Sequence, residues 1–207
     1  MSRSPYENLF QAFLRVNKRT VFYYTHIANL ESIASKGFLS RDEVTRQEIS
    51  HENYSMGSVQ NRRREQGLHR FVNFYFAREN PSTKKIEYER PDYFRQLIFC
   101  EVSILSMLTD PTIDEVKFTD GNAASPQTNH LQRIEDIARI DWGLVNSDSW
   151  FAAGDDEQTS RSKKRKRCAE LLIANKVPFR HTQRYELTPQ ASEQTAEIAR
   201  EIFQRHR

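Results

Sequence analysis

Glu170 is the residue in this chain best placed to do chemistry. It stands in Cys168-Ala169-Glu170-Leu171-Leu172-Ile173, a carboxylate inside an otherwise apolar, strand-forming run. Strand alternation puts Cys168, Glu170 and Leu172 on one face. A buried carboxylate without a partner is costly, so Glu170 is either an edge residue or part of a site. Residues 161–167 read RSKKRKR, six cations in seven positions, and could pair with it or hold an anionic ligand beside it. Arg62-Arg63-Arg64 form a second basic block. Such clusters suit a polyanion partner or a solvated face. Thr25-His26 close an apolar run, as a cap and a surface histidine or as part of a site.

Several chemistries lack their motifs. Neither GxGxxG nor GxxxxGK[ST] is present, and HExxH and GxSxG are absent. The six histidines (26, 51, 69, 130, 181 and 206) show no metal-ligand spacing, so no metal is expected. Cys100 and Cys168 each lie in an apolar segment and read as reduced, buried thiols, not a disulfide framework. No apolar stretch approaches 18 residues, and MSRSPYENLF lacks the apolar centre of a secretory signal. A cytoplasmic protein without a membrane segment is expected.

The elements that must position these residues belong to one domain, 1–207, with 37% hydrophobic and 29% charged residues and a net charge of +3. Leu9, Phe10, Phe13 and Leu14 share one face of a helix over 5–16. Strands are expected at Val21–Thr25, Phe71–Phe76, Leu97–Ile104, Glu115–Phe118 and Cys168–Ile173. Asn29 to Lys36 reads as a helix capped by Asn29 and stopped by Gly37. A short helix is expected at Leu131–Ile137, and a C-terminal one with Thr188 as N-cap and Pro189 in its first turn. Residues 40–70 are polar without a firm period, 79–95 read as loop-like, and 154–162 read as flexible. Strands and helices without regular alternation indicate an α+β domain with a largely antiparallel sheet.

At this point several motifs converge. Thr25-His26-Ile27-Ala28-Asn29-Leu30-Glu31-Ser32-Ile33, ending at Gly37-Phe38-Leu39, resembles the opening NAD-binding segment of the DarT family of DNA ADP-ribosyltransferase toxins. Val59-Gln60-Asn61-Arg62-Arg63 resembles the family's arginine pair. Val72-Asn73-Phe74-Tyr75-Phe76-Ala77-Arg78 with Asn80-Pro81 resembles its aromatic strand. Phe118-Thr119-Asp120-Gly121-Asn122-Ala123 resembles its "TDGHA" turn, and Lys166-Arg167-Cys168-Ala169-Glu170-Leu171-Leu172-Ile173 with Val177-Pro178 its "RRQAEFLV…VP" segment. The five motifs run in the family's order over residues 22–178. Three positions depart from the pattern: Tyr23 and Asn122 each stand where the family has His, and Asn80-Pro81-Ser82 stands for "SPM".

The resemblance implies an ADP-ribosyltransferase fold, a split and mainly antiparallel β core with flanking helices and an NAD cleft between two sheets. It implies transfer of ADP-ribose from NAD, the co-substrate, to a thymidine- or guanosine-type base in single-stranded DNA. It further implies a toxin role in a toxin–antitoxin or phage-defence system, opposed by a macrodomain antitoxin of DarG type. Glu170 then matches the catalytic glutamate and Arg62 the arginine proposed to act on the base. A guanidinium with a pKa above ~12 is a poor general base, so Arg62 is read as orienting phosphates or polarising the base. Tyr23, Tyr24, Thr25, His26, Asn29, Arg63 and Tyr75 are expected to hold NAD. Arg64, Phe74, Arg78, Asn122, Lys166 and Arg167 are expected to meet DNA. Nothing in the sequence demands more than a monomer. The alternatives are an acceptor on RNA or protein, and a nucleic-acid-binding module that has lost catalysis.

Overall fold

The computed structural model describes residues 6–55 and 57–206. Residues 1–5, among them Pro5 of the first expected helix, lie outside them. α1 (Glu7–Arg15) buries Leu9, Phe10, Ala12 and Phe13 as one apolar face. β1 (Thr20–His26) follows, and His26 Nδ1 accepts the N–H of Ala28 at the turn into α2 (Leu30–Lys36). Gly37 ends α2 at φ 89°, and a Cβ there would meet the Val177 carbonyl at 2.7 Å, so only glycine fits.

β2 (Phe38–Leu39), α3 (Arg41–Arg46), α4 (Gly57–Glu65) and β3 (Phe71–Tyr75) come next. Residues 79–95, expected as a loop, form α5 (Pro81–Glu89) and α6 (Pro91–Phe94). The two prolines open these helices, where a missing N–H costs nothing, and Asn80 and Thr83 close a reciprocal capping box. β4 (Leu97–Ser103) is buried at every position. α7 (Ile104–Leu108), β5 (Val116–Thr119) and β6 (His130–Leu131) follow, and the helix expected at 131–137 is a 3-10 segment over Ile134–Arg139.

α8 (Trp142–Asn146) precedes α9 (Glu157–Arg167), so the basic run is helical and the flexible reading of 154–162 is corrected. Asp156 caps α9 through Thr159, and its polarity left no apolar period to read. β7 (Glu170–Ala174), β8 (Lys176–Val177) and β9 (Thr182–Leu187) lead to α10 (Glu193–Arg205). Ser192, not Thr188, caps α10; Thr188 is buried ahead of it.

Seven strands form one antiparallel sheet in the order β6-β5-β7-β3-β1-β4-β9, and β2 pairs with β8. β1 pairs with β4 from Thr20–Ser103 to His26–Leu97, and β3 pairs with β7 from Phe71–Ala174 to Tyr75–Glu170. Between these two ladders β1 and β3 share a single register pair, Phe22 opposite Tyr75. The expected division into two sheets thus takes the form of a seam within one. The α+β, mainly antiparallel class stands. On the α1 side Phe13, Phe76 and Trp142 pack ring to ring, with Phe13–Phe76 centroids 5.5 Å and Phe76–Trp142 centroids 5.1 Å apart. Burial of each such ring contributes about 2–3 kcal/mol.

Candidate active site

The seam opens into a cleft of about 420 Å³, walled by the end of β1, by β3 and by the segment around residues 49–55. Tyr24 and Tyr75 stack across it with centroids 5.3 Å apart, and Tyr24 Oη donates toward Tyr75 Oη at 3.5 Å. Burial holds both phenols above their ordinary pKa, so both keep their protons. Asn29 donates to Thr25 Oγ1 at 3.0 Å and to the Glu52 carbonyl at 2.9 Å, and accepts the Glu52 N–H at 2.8 Å. It thereby ties residues 51–55 to the end of β1 and does not cap α2. Burial lowers the His26 pKa, and its ring lies 4.8 Å from that of Tyr93.

Glu170 is fully buried at the first position of β7. Its backbone N–H donates to Thr119 Oγ1 at 3.0 Å. Oε1 accepts the Ala123 N–H at 2.9 Å and Oε2 accepts Arg63 Nη1 at 3.1 Å. The strand supplies the carboxylate, the turn after β5 supplies one donor and α4 the other. A Cβ at Gly121 in that turn would sit 2.6 Å from Arg165 Nη1 and 3.0 Å from the Arg165 carbonyl, so a larger residue would displace the Arg165 guanidinium. Burial works against the Arg63 charge, but Glu170 outweighs it and the guanidinium pKa is raised. Arg63 Nη2 is buried without a hydrogen-bond partner. The site therefore has a fixed carboxylate and an unused buried donor, a pairing suited to an anionic or hydroxyl-bearing ligand.

Successive helical residues point about 100° apart, so only one of three consecutive arginines faces inward. That one is Arg63. Arg62, the expected catalytic arginine, is exposed and donates to the Ser58 carbonyl at 3.3 Å. Arg64 is exposed and bonds Asn61. Thus Arg63, and not Arg62, meets Glu170.

The remaining expected residues divide. Tyr23, Tyr24, Thr25, His26, Asn29, Tyr75 and Asn122 line the cleft. The Tyr23 ring packs on Phe38 and Phe74, at 4.9 and 5.8 Å, and burial pushes its hydroxyl to about 12. Phe74 is fully buried, so its DNA-contacting role is corrected to core packing. Arg167 is buried, with Nε 2.9 Å from the Glu79 carbonyl and Nη1 2.7 Å from those of Leu144, Val145 and Ser147, and it too cannot reach DNA. Lys166 pairs with Asp141 at 3.4 Å, and Arg78 pairs with Glu79 and Glu186 over the Phe99 ring. The structure brings neither of these to the cleft.

Sequence reasoning missed the Ala123 N–H and Thr119 Oγ1, which hold Glu170, and the Glu52–Tyr54 segment with Tyr93. The Thr119-Asp120-Gly121 turn carried the first pair; nothing in the polar segment carried the second. Among the described residues no cluster of three His, Cys, Asp or Glu could hold a metal. No helix there is long and apolar enough to cross a membrane. Cys100 and Cys168 are buried and unbridged.

Residues 22–200 match the family described as "ssDNA thymidine ADP-ribosyltransferase, DarT". A DNA ADP-ribosyl transferase–DNA ADP-ribosyl glycohydrolase fusion protein of Thermosipho africanus (strain H17ap60334) is 30% identical over 171 residues, 79% of this chain and 41% of the relative. The chain thus spans less than half the length of that relative. The structure of Thermosipho africanus DarTG with ADP-ribose superimposes with a TM-score of 0.71 at 26% identity, over 91% of this chain and 48% of that one. DarT of Thermus sp. 2.9 with ADP-ribosylated single-stranded DNA gives a TM-score of 0.73 at 18% identity, over 92% and 90% of the two chains, and shares the fold.

Proposed function

The chain belongs to the DarT family, and from that premise we propose that it transfers ADP-ribose from NAD+ to a base of single-stranded DNA. The observation that carries this reading is the ion pair between Arg63, which lines the seam cleft, and the fully buried Glu170 3.1 Å behind it. In the reaction the bond between the nicotinamide nitrogen and ribose C1′ breaks, and nicotinamide leaves with the electron pair. A ring nitrogen of the base bonds to C1′, and one proton passes to solvent. The transition state resembles the oxocarbenium ion of glycoside hydrolysis.

Glu170 stabilises it by placing a fixed negative charge and a hydrogen-bond acceptor beside the ribose. Because Ala123 and Arg63 hold both its oxygens, it need not reorganise as charge develops. The free Nη2 of Arg63 suits a pyrophosphate or ribose oxygen, and the Tyr24–Tyr75 stack suits the nicotinamide ring. A base inside a duplex could not enter a cleft of this size, so the acceptor is unpaired or flipped out. The exposed Arg62 and Arg64 on the outer face of α4 suit its phosphates.

In the Thermosipho africanus relative a DNA ADP-ribosyl transferase is fused to a DNA ADP-ribosyl glycohydrolase. Accordingly the chain acts as a toxin whose product a macrodomain partner of DarG type removes. The test is mass spectrometry of single-stranded oligonucleotides incubated with NAD+, four of them each lacking one base, with RNA and duplex alongside. Gain of one ADP-ribose unit that vanishes with one omitted base supports the reading. Nicotinamide release without any DNA product moves the acceptor to RNA or protein. No release at all overturns it.

A further inference from the structure

Asn29 ends the 3-10 turn Ile27–Asn29 that leads from β1 into α2. Its Nδ2 donates to Thr25 Oγ1 at 3.0 Å and to the Glu52 carbonyl at 2.9 Å, and its Oδ1 accepts the Glu52 N–H at 2.8 Å. A carbonyl can only accept and a backbone N–H can only donate, so the two Glu52 contacts fix which end of the amide is oxygen. Both N–H bonds of the carboxamide are thus spent inside the protein, and Asn29 has none to give a phosphate or carbonyl of a ligand. The amide instead clips the backbone of Glu52 at both its N–H and its C=O, as a paired strand residue would.

The clipped segment has little else to hold it. Ile49 to Ser55 all line the cleft and belong to no helix or strand. From Ser50 to Ser55 the backbone N–H groups are met by side chains: Glu52 by Asn29, and Ser55 by Asn53 Oδ1 at 2.9 Å. The remaining ties join one side chain to another. Arg41 Nη1 donates to His51 Nε2 at 2.6 Å, and Tyr54 bonds Glu89 and packs 5.9 Å from the Tyr93 ring. Among the described residues, the Asn29 clip is the one hydrogen-bonded link from the backbone of 50–55 to the end of β1.

We infer that Asn29 is a positioning residue for the co-substrate: it sets NAD+ affinity by holding the 49–55 wall against the end of β1, and does not itself bind NAD+. The inference rests on the transferase reading above and revises the ligand role expected of Asn29. A wall in place for only a fraction of the time lowers apparent affinity by that fraction. Hydrogen bonds to both polar groups of one backbone unit are enough to tip an exposed segment between held and loose. The chemistry at C1′ is unaffected once NAD+ is bound, because Glu170 is held by Ala123 and Arg63, neither of which Asn29 touches.

The experiment measures Kd for NAD+ without DNA, kcat and KM for NAD+ with a single-stranded oligonucleotide, and amide hydrogen exchange over residues 50–54. The wild-type protein is compared with Asn29→Ala, which loses the clip, and with Asn29→Asp, which keeps the oxygen facing the Glu52 N–H but loses both donors. We expect Asn29→Ala to raise Kd and KM about tenfold, to leave kcat within about twofold, and to speed exchange over 50–54. Asn29→Asp should move in the same direction, because a carboxylate cannot donate to the Glu52 carbonyl. Tenfold weaker binding with unchanged exchange over 50–54 makes Asn29 a direct ligand and overturns the inference. So does an unchanged Kd in Asn29→Ala, or a fall in kcat beyond about threefold. Should both variants fail to fold, the wild-type protein still decides: the Glu52 amide should be protected in the free protein, and NAD+ should slow exchange at Ser50, His51, Asn53 and Tyr54. NAD+ that leaves those four amides at their free rates overturns the inference. A wild-type protein that neither binds NAD+ nor releases nicotinamide overturns the transferase reading instead.

Discussion

Arg62-Arg63-Arg64 on α4 and the run ending in Arg165-Lys166-Arg167 on α9 look alike in sequence, yet they differ in where their charge goes. α4 turns one guanidinium inward onto Glu170 and leaves two facing solvent. α9 is matched along its length by the chain itself: Arg161 with Glu157, Lys163 with Asp155, Arg165 with Asp120 and Lys166 with Asp141. Arg167 is enclosed by backbone carbonyls. Density of charge in the sequence is thus a poor guide to a polyanion surface. What decides is whether acids of the same fold already answer it. The shorter run is left to meet a ligand, and the longer one holds α8, the turn before Glu170 and the end of β3 in place.

The sharpest test of this contrast is Glu170→Gln, which removes the charge at the inner end of α4. Transfer should fall about a thousandfold, and the unfolding midpoint should fall too because the Arg63 guanidinium loses its counter-charge; retention of turnover would remove Glu170 from the chemistry. Arg63→Met should leave a buried carboxylate alone and cost about 3–5 kcal/mol in chemical denaturation. The double variant with Glu170→Gln should recover most of that loss, and Arg62→Met should cost almost none. Arg167→Met should lower stability by about 3 kcal/mol. If instead it folds normally and binds DNA poorly, α9 is a DNA surface and the contrast breaks.

Internal pairing also predicts acid lability away from the cleft. Burial pushes the Asp110 carboxyl up, but Thr112, His181 and Arg180 more than offset it and hold its pKa at about 2. A depressed carboxylate stabilises the fold above its unfolded value of 3.8. That contribution, about 2 kcal/mol, should vanish as pH falls from 4 to 2, and Asp110→Asn should flatten the stability curve over that window. The smallest effect concerns salt. The pair Arg62→Gln and Arg64→Gln should reduce the slope of log affinity for single-stranded DNA against log salt by about 1.4, near 0.7 per lost phosphate contact. Lys164→Gln on α9 should change it by less. Equal changes would erase the distinction between the helices.

Much of the fold was legible because strands with both faces covered read as apolar runs: Leu97–Ile104 and Leu171–Ile173 needed no partner to be seen. Glu170 was legible for the same reason, as a charge in such a run. α5 was not, because Pro81 and Pro91 look like breakers until their place in a first turn is known. α9 was not, because helices with no apolar stripe leave no period. The choice between Arg62 and Arg63 depended on the phase of α4, which three identical residues cannot report. Phe74 was misplaced because alternation along a strand does not say which face looks at a helix and which at a cleft.

The single register pair between β1 and β3 has a mechanical consequence. Each strand is zipped along its outer edge to a long ladder, so the compliance of the sheet is concentrated at Phe22 and Tyr75. A tilt of the two halves about this crease would widen or narrow the space between them against only the Tyr24–Tyr75 and Tyr23–Phe74 ring contacts that cross it. Amide hydrogens along the β1–β4 and β3–β7 ladders should then exchange slowly whatever occupies the space, and the grip on an occupant is set by bending at one point.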